Sequence, residues 1–375
     1  MIQPVTIEVT TAAMAHGGKA VARHEGQVLF VTGAYPHEVV QAEVTEAKKR
    51  HSFARALAIF EPSPHRRAAP CPHFGPCGGC QWQSAEPGAQ AEWKREIVAD
   101  QLRFVGKLGN VEVRPTISPG PEFGYRNRMD FALVGGRPAL HREESQELVE
   151  LSVCLLLVAP LFQLFVDLPI RPLADRVTLR AGVATGETAV LFDDEHGVIH
   201  EEVAGHTFRV TDRAFFQANT AGAEELVRLV TEVLAPGPND RLLDGYAGGG
   251  LFAATVGAGC REVVAVESDP VAVADLKANA DLVPVRAKFE SSRPRLPRSW
   301  DLAVVDPPRA GLGREGVETV VAGHPRTVAL VACDPASFAR DAALFTNAGY
   351  RLEYAQPVDM FPQTFHIEIV GAFSR

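Results

Sequence analysis

The sequence predicts an α/β protein: a helix-flanked parallel sheet in its C-terminal part, a small β-barrel at its start, and an α+β segment between them. Three observations predict it. From about residue 206, strand-like and helix-like runs alternate: RLLDGYA, LFAATVGAG, VVAVES, PVAVADLKANA and DLAVVDPP. That alternation marks a parallel sheet with helices on both faces. Residues 1–60 instead carry short runs of alternating polarity, punctuated by Gly17-Gly18, Gly33 and Pro36. Between the two lies a linker, EPSPHRRAAP at 61–70, and a cysteine-rich stretch. The expected units are 1–60, 61–205 and 206–375.

Composition bounds the function. The chain has 375 residues, 46% hydrophobic and 22% charged, which excludes a wholly disordered chain. Its net charge is -9, so any nucleic-acid partner must be held by a local patch rather than a basic coat. Six cysteines in a chain of this length are too few for a disulfide scaffold. The opening MIQPVTIEVT lacks the pattern of a signal peptide. The most apolar run, VCLLLVAPLFQLFV at 153–166, is short and broken by Pro160 and Gln163, so a core helix is expected rather than a membrane span. A cytoplasmic protein is expected.

Element by element, VTIEV (5–9), QVLFV (27–31), EVVQAEV (38–44) and ARALAIF (54–60) read as strands of a small OB-like barrel. Its last segment is basic: residues 45–67 hold six Lys/Arg (Lys48, Lys49, Arg50, Arg55, Arg66, Arg67) against Glu46 and Glu61. An isolated charge run is usually a solvated face; on a barrel within an acidic protein it becomes a candidate RNA patch. A helix is expected over 89–105, able to pack on the C-terminal unit, and a strand over 125–134. Arg126 and Arg128 would then share one face. With Lys48–Arg50, Arg293, Arg295 and Arg298 they are candidates for phosphate contacts.

The strand Arg241–Asp244, the loop Gly245–Gly250 and the helix from Leu251 form a cofactor-type turn, because glycines admit a ligand close to the backbone. The next strand, VVAVE, ends in Glu267, placed to bind ribose hydroxyls. Gly248-Gly249-Gly250-Leu251-Phe252-Ala253 formally fits G-x-G-x-x-A, the dinucleotide pattern. Asp244 before the loop and the chemistry downstream favour S-adenosylmethionine instead. DLAVVDPPR (301–309) ends a strand in Asp306-Pro307-Pro308, holding Asp306 rigidly at the sheet's carboxyl edge. TVALVACDP (327–335) places Cys333 at that edge, where a thiolate could attack a substrate. In the last strand, PQTFHIEIV (362–370), His366, Glu368 and Val370 share a face, and a buried Glu368 would be a plausible base.

Taken together, FFQAN (215–219), LLDGYAGGGLF (242–252), DPPRAGL (306–312), ACDPASFARD (332–341) and DMFPQTFHIE (359–368) resemble the RNA uracil-5-methyltransferases, which make 5-methyluridine in ribosomal and transfer RNA. Residues 1–60 look like the TRAM domain that opens many members. The resemblance implies a Rossmann-like S-adenosylmethionine-dependent methyltransferase domain. It makes Cys333 the nucleophile adding to C6 of uracil and Glu368 the general base. It makes Gln217, Tyr246, Gly248, Glu267 and Asp306 the cofactor contacts. Phe215 and Phe216 could stack on a flipped base. There are departures. The family has Ser and Asn around the cysteine, where this chain has Ala332 and Asp334, and FPHT is FPQT, with Gln363. The carboxylate of Asp334 should raise the thiol pKa unless it is paired.

Cys71, Cys77 and Cys80 form C-x5-C-x2-C, and Cys154 follows 74 residues later. Four thiolates suit either zinc or an iron–sulfur cluster. Family members acting mainly on 23S rRNA carry a 4Fe-4S cluster at matching spacing, so the resemblance implies the cluster, with zinc as the alternative, and 23S rRNA as the substrate, with tRNA as the alternative. An NAD-dependent oxidoreductase and a catalytically decayed RNA-binding protein are the competing readings. A monomer is the default expectation.

Overall fold

The computed structural model describes residues 5–375; Met1–Pro4, the start of the MIQPVTIEVT segment, lie outside the described residues. Strands β1 (Thr6–Met14), β2 (Ala20–His24), β3 (Gln27–Thr32), β4 (Val39–Ala47) and β5 (His51–Glu61) close a barrel in the order β1-β2-β3-β5-β4. Their alternation sends Val9, Leu29, Val31 and Val40 inward, with the small Ala20, Ala22, Ala42 and Ala54 filling the narrow interior.

Helix α1 (Pro87–Gln101) begins with proline, whose fixed φ suits a first helical turn. It runs on through one wider turn over Leu102–Gly106. Trp93, Ile97, Val98 and Leu102 enter the same core as Phe338, Ala339 and Ala342 of the C-terminal unit. Gly106 permits this approach, since a Cβ there would lie 2.8 Å from the Ala339 carbonyl oxygen.

Strand β6 (Glu112–Val113) joins the edge of the C-terminal sheet. The middle of the chain supplies β7 (Arg128–Val134), β8 (Arg137–His141), β9 (Leu148–Glu150), α2 (Ala159–Val166), β10 (Arg176–Ala181) and β11 (Thr188–Phe192). These strands make a five-stranded sheet ordered β11-β10-β7-β8-β9, and β12 (Val198–Val203) pairs with β13 (His206–Thr211) as a separate hairpin. Two expectations are corrected here. The helix expected over 153–166 is confined to Ala159–Val166, opening at Pro160; Val153–Val158 is irregular, with a turn at Leu155-Leu156, and its backbone bonds to Gly124 and Arg126 instead of forming helix. The strand expected over 125–134 starts only at Arg128.

The C-terminal unit adds α3 (Thr220–Leu234), β14 (Arg241–Gly245), α4 (Leu251–Ala254), β15 (Glu262–Glu267), α5 (Pro270–Asn279), β16 (Val285–Arg286), β17 (Leu302–Val305), α6 (Gly313–Val321), β18 (Thr327–Ala332), α7 (Pro335–Asn347), β19 (Arg351–Val358) and β20 (Glu368–Ser374). The sheet order is β16-β15-β14-β17-β18-β20-β19-β6. Strand β20 runs antiparallel to both β18 and β19. Its first residue therefore lies at the edge where β14, β15, β17 and β18 end. The strand expected over 362–370 begins only at Glu368. Residues 362–367 form a loop, because Gln363 takes a φ of +71° and gives its carbonyl to the Gln81 and Trp82 N–H groups. Phe365 and His366 are thus loop residues rather than members of a strand face.

Candidate active site

Four strand ends build the site at the carboxyl edge. After β14, the glycine loop turns with Gly248 and Gly250 at φ +53° and +92°. Space is open where a Gly248 side chain would sit. After β15, Glu267 reaches back to this loop, one oxygen accepting the Gly248 N–H at 2.9 Å and the other the Asp269 N–H at 2.7 Å. Asp244, in β14, is 1% exposed, and neither of its carboxylate oxygens has a hydrogen-bond partner among the described residues. Burial, opposed by the Ala253 backbone N–H and assisted by the Asp306 and Glu267 carboxylates, pushes its pKa well above the usual range. A buried carboxyl with so little donation, beside an acid-capped glycine loop, can accept from a ligand's donors. The hydroxyls and amine of S-adenosylmethionine fit that need.

Tyr246, at φ +59°, donates its hydroxyl to Glu290 at 2.6 Å and packs on Phe289 with ring centres 4.9 Å apart. Gln217 is buried in the segment that Asn219 ties to the Met360 carbonyl at 2.8 Å. FFQAN and the 359–367 loop are therefore neighbours.

Cys333 follows β18, and Ala332 pairs with Ile369 of β20, which sets Cys333 across from Glu368. Burial comes first in pushing the Cys333 thiol up to about 12; Glu368 and Asp306 add to it and Arg309 opposes them. Glu368 is 5% exposed. Burial, then Asp306, lifts its carboxyl well above the usual range, again against Arg309. Asp306 is likewise raised by burial. Three acids thus share one edge with one arginine, and at neutral pH they cannot all ionise.

Sequence reasoning missed several members of this neighbourhood. Arg309 lies 3.4 Å from the His366 ring nitrogen. Burial, then Arg309, Arg126, Lys94 and His16, hold His366 at about 4, hence neutral. Arg309 could have been found from its place directly after Asp306-Pro307-Pro308. His16 and Lys94 carry no such local signal.

The proposed RNA contacts divide. Phe215 is 68% exposed, whereas Phe216 is 6% exposed and packs on Phe208; Phe216 is a core residue and unavailable for base stacking. Arg126, Arg128, Arg213 and Phe215 line one groove whose floor includes Phe216 and whose Asp130 pairs with Arg128, and the Arg126 guanidinium lies 5.0 Å from the Phe361 ring centre. On the barrel, Lys48, Lys49 and Arg50 are exposed. Lys48 pairs with Glu46, and the rest of that basic run is engaged too: Arg55 pairs with Glu43, Arg66 with buried Glu38, and Arg67 with Glu122. Arg293 bonds the Pro297, Arg298 and Ala322 carbonyls, so its guanidinium is occupied, whereas exposed Arg295 bonds only the Arg286 carbonyl.

Cys71, Cys77, Cys80 and Cys154 line one largely apolar cavity. Burial raises the Cys77 thiol and pushes Cys80 to about 12 and Cys154 to about 11. Among the described residues, no three metal-ligating side chains gather tightly enough for a single ion.

No helix among the described residues is long and apolar enough to cross a membrane. The TRAM domain family matches residues 2–57. An uncharacterized RNA methyltransferase of Streptomyces avermitilis is 34% identical, over 97% of this chain and 97% of its own. Another from Streptomyces coelicolor is 35% identical over 97% and 92%. Among solved structures, the tRNA (uracil-54, C5)-methyltransferase of Pyrococcus abyssi, in complex with S-adenosyl-L-homocysteine, superposes with a TM-score of 0.77 at 23% identity, covering 98% of this chain and 99% of that one; it shares the fold. With relatives above 30% identity aligned along nearly the whole of both chains, this protein belongs to the RNA methyltransferase family.

Proposed function

We propose that the protein methylates C5 of a uridine in RNA, with 23S rRNA as the substrate, acting as a cytoplasmic monomer. One observation carries the reading: the reversal of β20 sets Glu368 opposite Cys333 at the edge that also holds the glycine loop, Glu267 and Asp306. C5 of uracil is a weak nucleophile. The Cys333 sulfur, its thiol proton first passed to water, bonds to C6 as the thiolate, pushing the ring's electron pair onto C5 and O4, so that C5 becomes the attacking carbon. S-adenosylmethionine, held by Gln217, Tyr246, Gly248, Glu267 and Asp306, supplies the methyl group when bound. Glu368, as carboxylate, takes the C5 proton; the C5=C6 bond re-forms and the thiolate of Cys333 leaves. Burial keeps the Glu368 carboxyl basic enough for that transfer.

The groove of Arg126, Arg128, Arg213 and Phe215 would hold the RNA beside the extruded base, with Phe215 stacking and Lys48, Lys49 and Arg50 touching phosphates farther out. Cys71, Cys77, Cys80 and Cys154 would hold a 4Fe-4S cluster that braces the middle of the chain. This cysteine set supports 23S rRNA over tRNA, because the resemblance links it to the ribosomal enzymes. Iron and sulfide content of anaerobically prepared protein tests the cluster.

The function is tested by mapping 5-methyluridine in ribosomal and transfer RNA from cells with and without the gene, and by capture of 5-fluorouridine RNA. Loss of one 23S site and an adduct abolished by Cys333→Ala support the reading. An adduct that survives Cys333→Ala refutes the mechanism, and loss confined to tRNA refutes the substrate.

A further inference from the structure

The turn between β1 and β2 does not face solvent alone. Gly17 and Gly18, at φ +88° and +81°, fold it back toward the C-terminal unit. Gly18 packs so closely on Phe365 that a Cβ would lie 2.8 Å from that ring, and its carbonyl accepts the Trp82 indole N–H at 3.2 Å. Beside it, Lys19 pairs with Glu144 at 2.6 Å. These anchors fix His16 within the turn. Its Nε2 lies 3.0 Å from one carboxylate oxygen of Asp334. The other oxygen accepts the Ser337 N–H at 2.7 Å and caps α7.

Asp334 directly follows Cys333. Left alone, its negative charge would oppose formation of a thiolate beside it. Burial also works against its ionisation, but the hydrogen bonds from His16 and Ser337 outweigh it and hold the carboxyl at about 2. The carboxylates that act most strongly on the thiol are Glu368 and Asp306 rather than its chain neighbour.

We propose that His16 is a positioning residue for Cys333: paired with Asp334, it offsets the neighbouring carboxylate and steadies the cap that sets the Cys333 turn, so the barrel completes the active site. This rests on reading Cys333 as the nucleophile. The groups facing the pair are Glu368, Asp306 and Arg309 around Cys333, and Ser337 and His16 around Asp334, with His366 beside Arg309.

The test is the pH dependence of Cys333 alkylation by iodoacetamide in the full chain, followed by peptide mass mapping. It compares the unaltered protein, His16→Ala, Asp334→Asn and the double variant. His16→Ala should slow alkylation roughly tenfold at neutral pH, the equivalent of a one-unit rise in the thiol pKa. Asp334→Asn should not slow alkylation, and the double variant should behave like Asp334→Asn, because no carboxylate remains to offset. A purely architectural role predicts instead that the double variant is as slow as His16→Ala; that result overturns the proposal. So does an unchanged profile for His16→Ala, or a Cys333 that reacts at no pH. Alkylation needs neither RNA nor methyl donor. If the alkylation pattern holds but no 5-methyluridine is formed, the proposed function fails and the His16–Asp334 coupling stands.

Discussion

Lys94 and Asp359 form a fully buried ion pair, and removing one partner should be far worse than removing both. Lys94 is 0% exposed and Asp359 3%; their N···O distance is 2.5 Å. The Lys94 ammonium also donates to the Phe361 carbonyl at 3.3 Å and lies 5.8 Å from the Trp82 ring centre. Burial depresses its pKa despite the carboxylate. Lys94→Met leaves the buried Asp359 carboxyl without its cation, a loss of about 3–5 kcal/mol. Lys94→Met with Asp359→Leu removes both charges and should return to within about 1 kcal/mol of the starting stability. Urea unfolding followed by tryptophan fluorescence reads this directly, since Trp82 and Trp93 pack edge to face 5.7 Å apart beside the pair. Asp359 opens the loop that carries His366 toward Glu368, so the single variant should also lose Cys333 adduct formation before it unfolds. A double variant as unstable as Lys94→Met would refute the reasoning, because it would locate the cost in packing rather than in an unpaired charge.

Asp244→Asn should alter how stability depends on pH. The Asp244 carboxyl is raised in the fold, so its favourable contribution is complete below the unfolded value, about 3.9, and is lost as pH rises through the folded value. The variant's melting temperature should gain on the unaltered protein between pH 5 and 8 in scanning calorimetry; a gap that does not change with pH would count against an ionising Asp244. Phe215→Ala should leave stability within about 0.5 kcal/mol, as befits an exposed side chain. It should weaken RNA binding by roughly tenfold through lost stacking, measured by filter binding; unchanged affinity would remove Phe215 from the interface.

The parts of the site carried on regular elements were legible in the sequence. Gly248, Glu267, Asp306 and Cys333 all sit where a strand ends, and strand ends can be read from apolar runs stopped by glycine, proline or acid. Glu368 was legible as a residue but its setting was not: alternation suggested a strand through Phe365 and His366, while Gln363 breaks it by giving its carbonyl to a segment more than 270 residues earlier. The basic run at 45–67 misled for a related reason. Composition cannot distinguish Arg66, whose guanidinium reaches buried Glu38, from Lys49, which faces solvent. Phe215 and Phe216 differ in the same way, one exposed and the other packed on Phe208.

The loop from Asp359 to Ile367 draws its support from well outside the methyltransferase sheet. The loop has almost no regular structure of its own, so its backbone groups must find partners elsewhere. Asn219 binds the Met360 carbonyl, Lys94 the Phe361 carbonyl and Tyr125 the Pro362 carbonyl. Gln90 accepts the Gln363 N–H, and Gly18 of the barrel presses on Phe365. These partners come from the barrel, from α1, from the segments beside the cysteines and from the entry to α3. Each hold is local, yet all act on one loop, so a disturbance in any of these places reaches His366 and the start of β20. A strand end would keep its geometry if the barrel were lost. This loop would not, and the proton transfer assigned to Glu368 depends on it.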